Sequence, residues 1–148
     1  MYWQFIGIDV SKKTLDITIL DSQGKQIYYE RIANESKSIK SCFSSFMKQY
    51  KAIYKESVFC MEYTGIYNLP LVKWLKNQSA NIWMESGSQI NKSQGLVRGK
   101  NDKVDSLRIA NYAFTNRHIS CQMLWWDMCH QTWGHFLSDM GTSPIRLS

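Results

Sequence analysis

The sequence predicts an α/β domain with a mixed five-stranded sheet, in which a hairpin comes first and parallel crossovers follow, with helices on both faces. Two observations support this fold class. Segments with the apolar or alternating patterns of strands recur along residues 3–84, and segments with helical spacing separate the later ones. At 148 residues, 44% of them hydrophobic, the chain is long enough for one domain with a buried core.

The first three strands form the antiparallel part of the predicted sheet. Residues 3–10 are mostly apolar, which is typical of a strand that is buried on both faces. Residues 14–20 alternate apolar and polar side chains and predict a half-buried strand. The polar turn at 21–24 contains a glycine and returns the chain as a third strand over residues 26–32.

The first predicted helix follows these strands. Apolar residues recur at helical spacing from Ile39 to Tyr50, and lysines lie off that stripe. Asn34 and Ser36 are the candidate N-caps. We expect this helix to serve as the crossover connection to the next strand.

The rest of the domain alternates strands and helices. Residues 57–62 and 80–84 predict two short strands, and Pro70 fits the first turn of the helix between them. We expect residues 87–99, which contain three glycines, to form a basic loop. A last helix is predicted over residues 103–114.

Charge and composition divide the chain near residue 115. The net charge is +6, and residues 1–114 carry all of it. Residues 115–148 are neutral and contain no lysine but all three histidines. We therefore predict a domain over residues 1–114, whose basic surface favours a polyanion such as nucleic acid. We interpret residues 115–148 as an atypical, poorly ordered tail that is read out of frame or follows a disruption.

Two classes of protein are not favoured by the sequence. No apolar run approaches the ~20 residues of a membrane helix, and the first residues lack the pattern of a signal peptide. The four cysteines form no C-x-x-C pair, which favours reduced thiols and a cytoplasmic location. A zinc site in the tail is the competing interpretation, although its spacing matches no common finger; its ligands would be Cys121, Cys129, His130 and His135.

Acidic residues end two of the predicted strands. Asp9 ends the first strand and Glu62 ends the fourth, and a crossover helix makes these strands parallel. If the strands are neighbours about 4.8 Å apart, both carboxylates lie at one edge of the sheet, where α/β folds bind ligands. Gly7 shares a face with Asp9 and leaves space for something to approach.

Two further carboxylates begin the last helix. Asp102 and Asp105 are three residues apart and share one helical face. Four convergent carboxylates repel one another unless a divalent cation binds, and oxygen ligands select Mg²⁺ or Mn²⁺. Each residue also has a structural interpretation, because Asp9 fits a turn, Glu62 fits a surface ion pair and the aspartates fit a helix N-terminus.

Three sequence blocks resemble a known family. The segments FIGIDVSKKTLDITIL, MEYTGIYNLPLVKWL and VRGKNDKVDSLRIANYA resemble the N-terminal blocks of the DEDD transposases of the IS110 type, which include site-specific DNA invertases. The resemblance implies a RuvC-like, ribonuclease-H-type domain that binds Mg²⁺ through Asp9, Glu62, Asp102 and Asp105. It also implies cutting and rejoining of DNA by a homo-oligomer, with an element-encoded guide RNA in some members.

Basic residues flank the implied site and are candidates for phosphate contacts. Those near the last helix could equally form a solvated loop. The candidates are Lys12, Lys13, Lys92, Arg98, Lys100 and Lys103.

The chain departs from the family in one respect. The family's longer proteins carry a second domain with a nucleophilic serine, which no residue of this sequence matches. We therefore expect strand transfer to be incomplete in this chain, and the alternative is a non-catalytic remnant that binds nucleic acid or a full-length transposase subunit. The G-I-D-V start also resembles actin-like and sugar-kinase ATPases, but these need a second lobe of similar size.

Overall fold

The computed structural model describes residues 4–93 and 102–118, apart from the side chains of residues 102 and 103. The strands are β1 (Gln4–Val10), β2 (Thr14–Asp21), β3 (Gln26–Ala33), β4 (Ser57–Glu62) and β5 (Asn81–Glu85). The helices are α1 (Ser36–Gln49), α2 (Leu69–Asn77), α3 (Gly87–Ser93) and α4 (Asp102–Thr115). The predicted tail lies outside the described residues from residue 119 onward.

The five strands form one mixed sheet in the order β3-β2-β1-β4-β5. β1 is central; it pairs antiparallel with β2, which follows it through a short turn, and parallel with β4, which follows β3 through the crossover helix α1. β5 continues the sheet in parallel beyond β4, with α2 as the connection. This topology confirms the predicted fold class, including the opening hairpin and the parallel crossovers.

One face of the sheet, which we call the α1 face, is covered by α1 and α2 and is apolar at its centre. Alternate strand residues point to this face, so Ile6 and Ile8 of β1 share it with Ile17 of β2. The predicted stripe of α1 packs against them. The fully buried side chains of this cluster include Ile6, Ile8, Leu15, Ile17, Ile19, Ile39, Phe43, Phe59, Met61, Leu71 and Leu75.

The opposite face, which we call the α4 face, is covered by α4 and uses small and polar residues at its centre. A Cβ on Gly7 would lie 2.2 Å from the main-chain nitrogen of Ala110 and 2.3 Å from the carbonyl oxygen of Ser106. Beside it, the buried hydroxyls of Thr18 and Ser106 are 2.7 Å apart and hydrogen bonded. The space left by Gly7 is therefore filled by the backbone of α4, which corrects the expectation of an open approach.

The larger apolar side chains of the α4 face lie around this contact. Phe5 packs edge-on against Phe114 with ring centroids 5.4 Å apart, and Trp83 packs against Tyr112 at the same distance. Because Phe114 also contacts Gly24 in the β2–β3 turn, the carboxyl end of α4 lies at the amino end of β1. The amino end of α4 consequently lies toward the end of the sheet where β1 and β4 finish.

Three local predictions were wrong. The strand β2, predicted to be half-buried, is buried on both faces over residues 15–20, because α4 covers its second face. Residues 87–93 form the helix α3 rather than the start of a loop, because the carbonyl of Ser86 accepts hydrogen bonds from the amides of Gln89 and Ile90. Ile90 is the buried residue of α3, and a single apolar anchor produces no periodic stripe in the sequence. Similarly, Glu35 occupies the N-cap position of α1, and neither Asn34 nor Ser36 does.

Two of the cysteines lie in described segments, and both are buried and outside any disulfide. Burial, together with the nearby charge of Glu30, raises the pKa of Cys42 to about 12, so this thiol stays protonated at neutral pH.

Within residues 4–93 and 102–118, no helix combines the length and the apolar composition needed to cross a bilayer.

Candidate active site

A row of four carboxylates crosses the sheet on the α4 face. Asp9 is directly opposite Asp16 in the β1–β2 ladder, and Glu62 is directly opposite Glu85 in the β4–β5 ladder. Gly7 and Ile8 pair with Cys60 and Met61, so continuing this register by one residue places Asp9 alongside Glu62. The two predicted strand-end carboxylates are therefore neighbours at the carboxyl edge of the parallel strands.

The outer members of this row are held by protein donors. Asp16 is 3% exposed and accepts hydrogen bonds from Arg31 at 2.9 and 3.2 Å and from the Tyr29 hydroxyl at 2.5 Å. Glu85 accepts from the Tyr112 hydroxyl at 3.1 Å and from the Ser86 amide at 2.9 Å. These contacts hold the outer carboxylates against protein donors on either side of the central pair.

A third predicted carboxylate approaches the central pair from α4. Burial raises the pKa of Glu62 above its ordinary value, and the negative charge of Asp105 raises it further. Asp105 is half-buried in the first turn of α4, and the guanidinium of Arg108 lies 3.6 Å from its carboxylate. The close seating of α4 on Gly7 thus brings a carboxylate of the last helix next to that of β4.

Glycine also makes room for Glu62 on its other side. A Cβ on Gly87 would lie 2.1 Å from Oε1 of Glu62, closer than any real Cβ approaches an oxygen. Any other residue at this position would therefore push the Glu62 carboxylate out of its place. Gly87 was predicted only as a loop residue, and its role depends on a contact between segments that the sequence alone does not pair.

The end of β4 is fixed by a buried amide. Asn68 is fully buried, and its Nδ2 donates to the carbonyl of Glu62 at 3.0 Å. Its Oδ1 accepts from both the amide and the hydroxyl of Thr64 at 2.8 Å. Asn68 therefore holds the main chain on both sides of the turn that follows Glu62.

Some of the remaining predicted site residues are exposed near this edge, and the others lie outside the described part of the chain. Lys12 and Lys13 are exposed in the β1–β2 turn that follows Asp9, and Lys92 is exposed in the last turn of α3. The predicted residues outside the described part of the chain are Arg98, Lys100 and the side chains of Asp102 and Lys103. Among the side chains that the structure does describe, no three of His, Cys, Asp and Glu already lie close enough together to hold a metal ion.

The comparisons with known proteins concern the family and the fold of the chain. The sequence profile of the IS110-type DEDD transposases, described as a transposase family, matches residues 6–122. A transposase for the insertion sequence element IS1533 of Leptospira borgpetersenii is 31% identical over 107 residues, which is 72% of this chain and 29% of that protein. The chain thus spans less than a third of the length of this curated relative.

A solved structure supports the fold independently. RuvC of T. thermophilus, solved in complex with a Holliday junction substrate, superposes with a TM-score of 0.57 over 80% of this chain and 97% of that one. At 9% sequence identity this similarity concerns the fold alone. The sheet order and its acidic edge define a RuvC-like, ribonuclease-H-type domain. Within that class, the chain belongs to the IS110-type DEDD transposase family.

Proposed function

We propose that this domain is the acidic, metal-binding part of a transposase that cleaves and transfers DNA strands. One observation carries the proposal: Asp9 and Glu62 lie side by side at the carboxyl edge of β1 and β4, and Asp105 approaches Glu62 from α4. Family membership supports DNA as the substrate, and the RuvC relative of the same fold was solved with a Holliday junction.

The residues present fit a divalent cation. Their donors are carboxylate oxygens, which suit hard ions such as Mg²⁺ and Mn²⁺. The raised pKa of Glu62 reflects burial and repulsion by Asp105, and a bound cation would relieve both. In the proposal, the ligands are Asp9, Glu62, Asp102 and Asp105. When bound, such ions activate a nucleophile and stabilise a leaving oxygen in phosphodiester chemistry.

The protein's own contribution is to position these groups. The β1–β4 pairing fixes the spacing of Asp9 and Glu62, and the contact between Gly7 and α4 fixes the approach of Asp105. Exposed lysines beside the edge would hold phosphates without reading sequence. We assign this role to Lys12, Lys13, Lys92, Arg98, Lys100 and Lys103. Further proposed partners, which rest on family resemblance, are a guide RNA and other copies of the chain; a DNA substrate suits a cytoplasmic location.

Thermal unfolding with increasing Mg²⁺ or Mn²⁺ tests the metal site. We expect the cation to stabilise the wild-type chain, by about 2.7 kcal/mol at 100 times its dissociation constant. Asp9→Asn and Asp105→Asn should lose this response. Glu56→Gln should keep it, because Glu56 is exposed just before β4, at the opposite end of that strand from Glu62. An equal response in all four proteins would contradict the proposal.

Cleavage of a labelled branched DNA junction in Mg²⁺ or Mn²⁺ tests the reaction. Metal-dependent cutting that Asp9→Ala abolishes would support the nuclease. Binding of the junction without any cutting, unchanged by Asp9→Ala, would instead favour the non-catalytic nucleic-acid-binding remnant.

A further inference from the structure

The segment that follows Glu62 presents a group of exposed apolar side chains, which we call the aromatic loop (residues 63–67). Tyr63 is 38% exposed, Ile66 is 58% exposed and Tyr67 is 37% exposed. Single exposed apolar residues are common, whereas a cluster of them marks an interaction surface. This cluster begins one residue after a proposed metal ligand.

The aromatic loop is held in place rather than loosely attached. The buried Asn68 bonds the main chain at Glu62 and both donors of Thr64. The Tyr63 amide donates to the carbonyl of Glu85 at 3.0 Å, which ties the start of the loop to β5. The exposed rings are therefore presented on a fixed support, and little conformational entropy is lost when a partner binds them.

A basic turn lies directly beside the aromatic loop. Nδ2 of Asn34 donates to the main-chain oxygen of Ser11 at 2.8 Å and to that of Tyr67 at 2.9 Å. Two main-chain oxygens bound to one nitrogen must be close together, so the turn that carries Lys12 and Lys13 adjoins Tyr67. Both lysines are exposed. The surface thus combines flat apolar rings with cations.

We propose that the aromatic loop is a stacking surface for unpaired nucleobases of the strand whose phosphates lie against Lys12 and Lys13. Single-stranded nucleic acid offers both chemistries at once, because its bases stack on aromatic rings while its phosphates attract lysines. In a continuous duplex the base faces are covered by their neighbours, so Tyr63 and Tyr67 can stack only where pairing or stacking is interrupted. Ile66, the most exposed member, fits between separated bases as a wedge. The inference rests on the proposed function only in that the ligand is nucleic acid.

The test is fluorescence anisotropy with a labelled oligothymidine single strand and a labelled continuous duplex, at one salt concentration and in EDTA. Ile66→Ala combined with Tyr67→Leu should weaken single-strand binding by about 5- to 150-fold and duplex binding by less than about twofold. Tyr67→Phe alone keeps the ring and should bind the single strand as the wild type does. All of these positions are exposed, and an unchanged melting temperature will show that the fold is retained.

A matched control lies at the other end of β4. Ile53 is 53% exposed, close to the 58% of Ile66, and precedes β4 instead of following it. Ile53→Ala should leave both affinities unchanged. The proposal is overturned if the double variant binds the single strand normally, if it loses equal affinity for both DNAs, or if Tyr67→Phe loses as much single-strand affinity as the double variant. EDTA separates the two proposals, since failure of the metal site leaves this measurement intact.

Discussion

The two faces of the sheet differ in the kinds of residue at their centres. At the centre of the α1 face, branched and aromatic side chains pack together, whereas the centre of the α4 face consists of Gly7, the Thr18–Ser106 hydroxyl pair and the acidic row. Side chains of ordinary size hold a helix 8–10 Å or more from its neighbour, and a glycine lets it approach further. The α4 face therefore has less apolar surface to stabilise it and a more closely placed helix.

This difference separates stability from function. The α1 face supplies most of the buried apolar side chains, and no member of the acidic row lies on it. On the α4 face, burial raises the pKa of Glu62, which shows that the fold keeps a charge where it is unfavourable. Perturbed pKa values of this kind are found most often at functional sites. Four substitutions, which follow, test this division.

The largest effect is expected for Gly7→Ala. The added methyl carbon would lie 2.2 and 2.3 Å from backbone atoms of Ala110 and Ser106, which no rotamer change can relieve. We expect α4 to be displaced at a loss of about 3 kcal/mol or more in the free energy of unfolding. Urea denaturation measures this loss. The metal response in thermal unfolding should also disappear, since Asp105 moves away from Glu62. A stable variant with a normal metal response would show that the close approach is not needed.

Ile17→Val removes one carbon atom from the α1 face, whereas Gly7→Ala adds one to the α4 face. Ile17 is fully buried, so removal of one methyl group should reduce the free energy of unfolding by about 1 kcal/mol. The metal response should stay at the wild-type level, because β1 and β4 keep their register. Urea denaturation and thermal unfolding with Mg²⁺ measure the two quantities. Loss of the metal response here would mean that the faces are coupled and would contradict the division.

Disrupting the Thr18–Ser106 hydroxyl pair should reduce the free energy of unfolding about as much as Ile17→Val does. Unlike that loss, this one should be recovered by a second substitution. Ser106→Ala leaves the buried hydroxyl of Thr18 without its partner at 2.7 Å, and we expect a loss of about 1–2 kcal/mol. Adding Thr18→Val to this variant removes the unsatisfied group and should recover most of the loss. The four proteins of this double-mutant cycle are compared by urea denaturation. Strictly additive losses would show that the two hydroxyls do not depend on each other.

The fold could be predicted from the sequence because its signals are local. The strand patterns of β1 to β5 and the stripe of α1 each arise within one segment, and the observed elements confirm their positions. The predicted half-burial of β2 was wrong, because α4 covers its second face as well. The placement of Asp9 and Glu62 at the same edge was also predictable, because a crossover helix favours parallel strands. That β1 and β4 are neighbours was only a condition of this prediction and is seen in the sheet order. The helix α3 was missed because one buried residue, Ile90, gives no periodic pattern.

The supports of the candidate site were not predictable in the same way. Gly87 next to Glu62, Asn68 at the end of β4 and Arg31 on Asp16 all act across segments that only the folded chain brings together. Asp16 is one of the polar residues in the alternating pattern of residues 14–20, yet it is buried and belongs to the acidic row. An acidic residue in a strand does not show in the sequence whether a distant arginine covers it.

Glu62→Gln is expected to give the smallest change in the free energy of unfolding. The sign of this change should differ between the metal-free and the metal-bound protein. The raised pKa of Glu62 means that its charge opposes folding at neutral pH, and that this effect is absent below the ordinary glutamate pKa of about 4.3. Because solvent still reaches part of this carboxylate and screens it, we expect glutamine to stabilise the metal-free protein at pH 7 by about 0.5 kcal/mol. At pH 4 the two proteins should unfold alike.

With saturating Mg²⁺ the order should reverse, since the wild type gains binding energy that the variant lacks. Thermal unfolding in EDTA and in Mg²⁺, at both pH values, measures all four differences. Glu56→Gln is the matched control, because that exposed carboxylate near the start of β4 should show neither the stabilisation nor the reversal. If Glu62→Gln destabilises the protein in EDTA, the carboxylate serves the fold itself, and the contrast between the two faces does not hold at this residue.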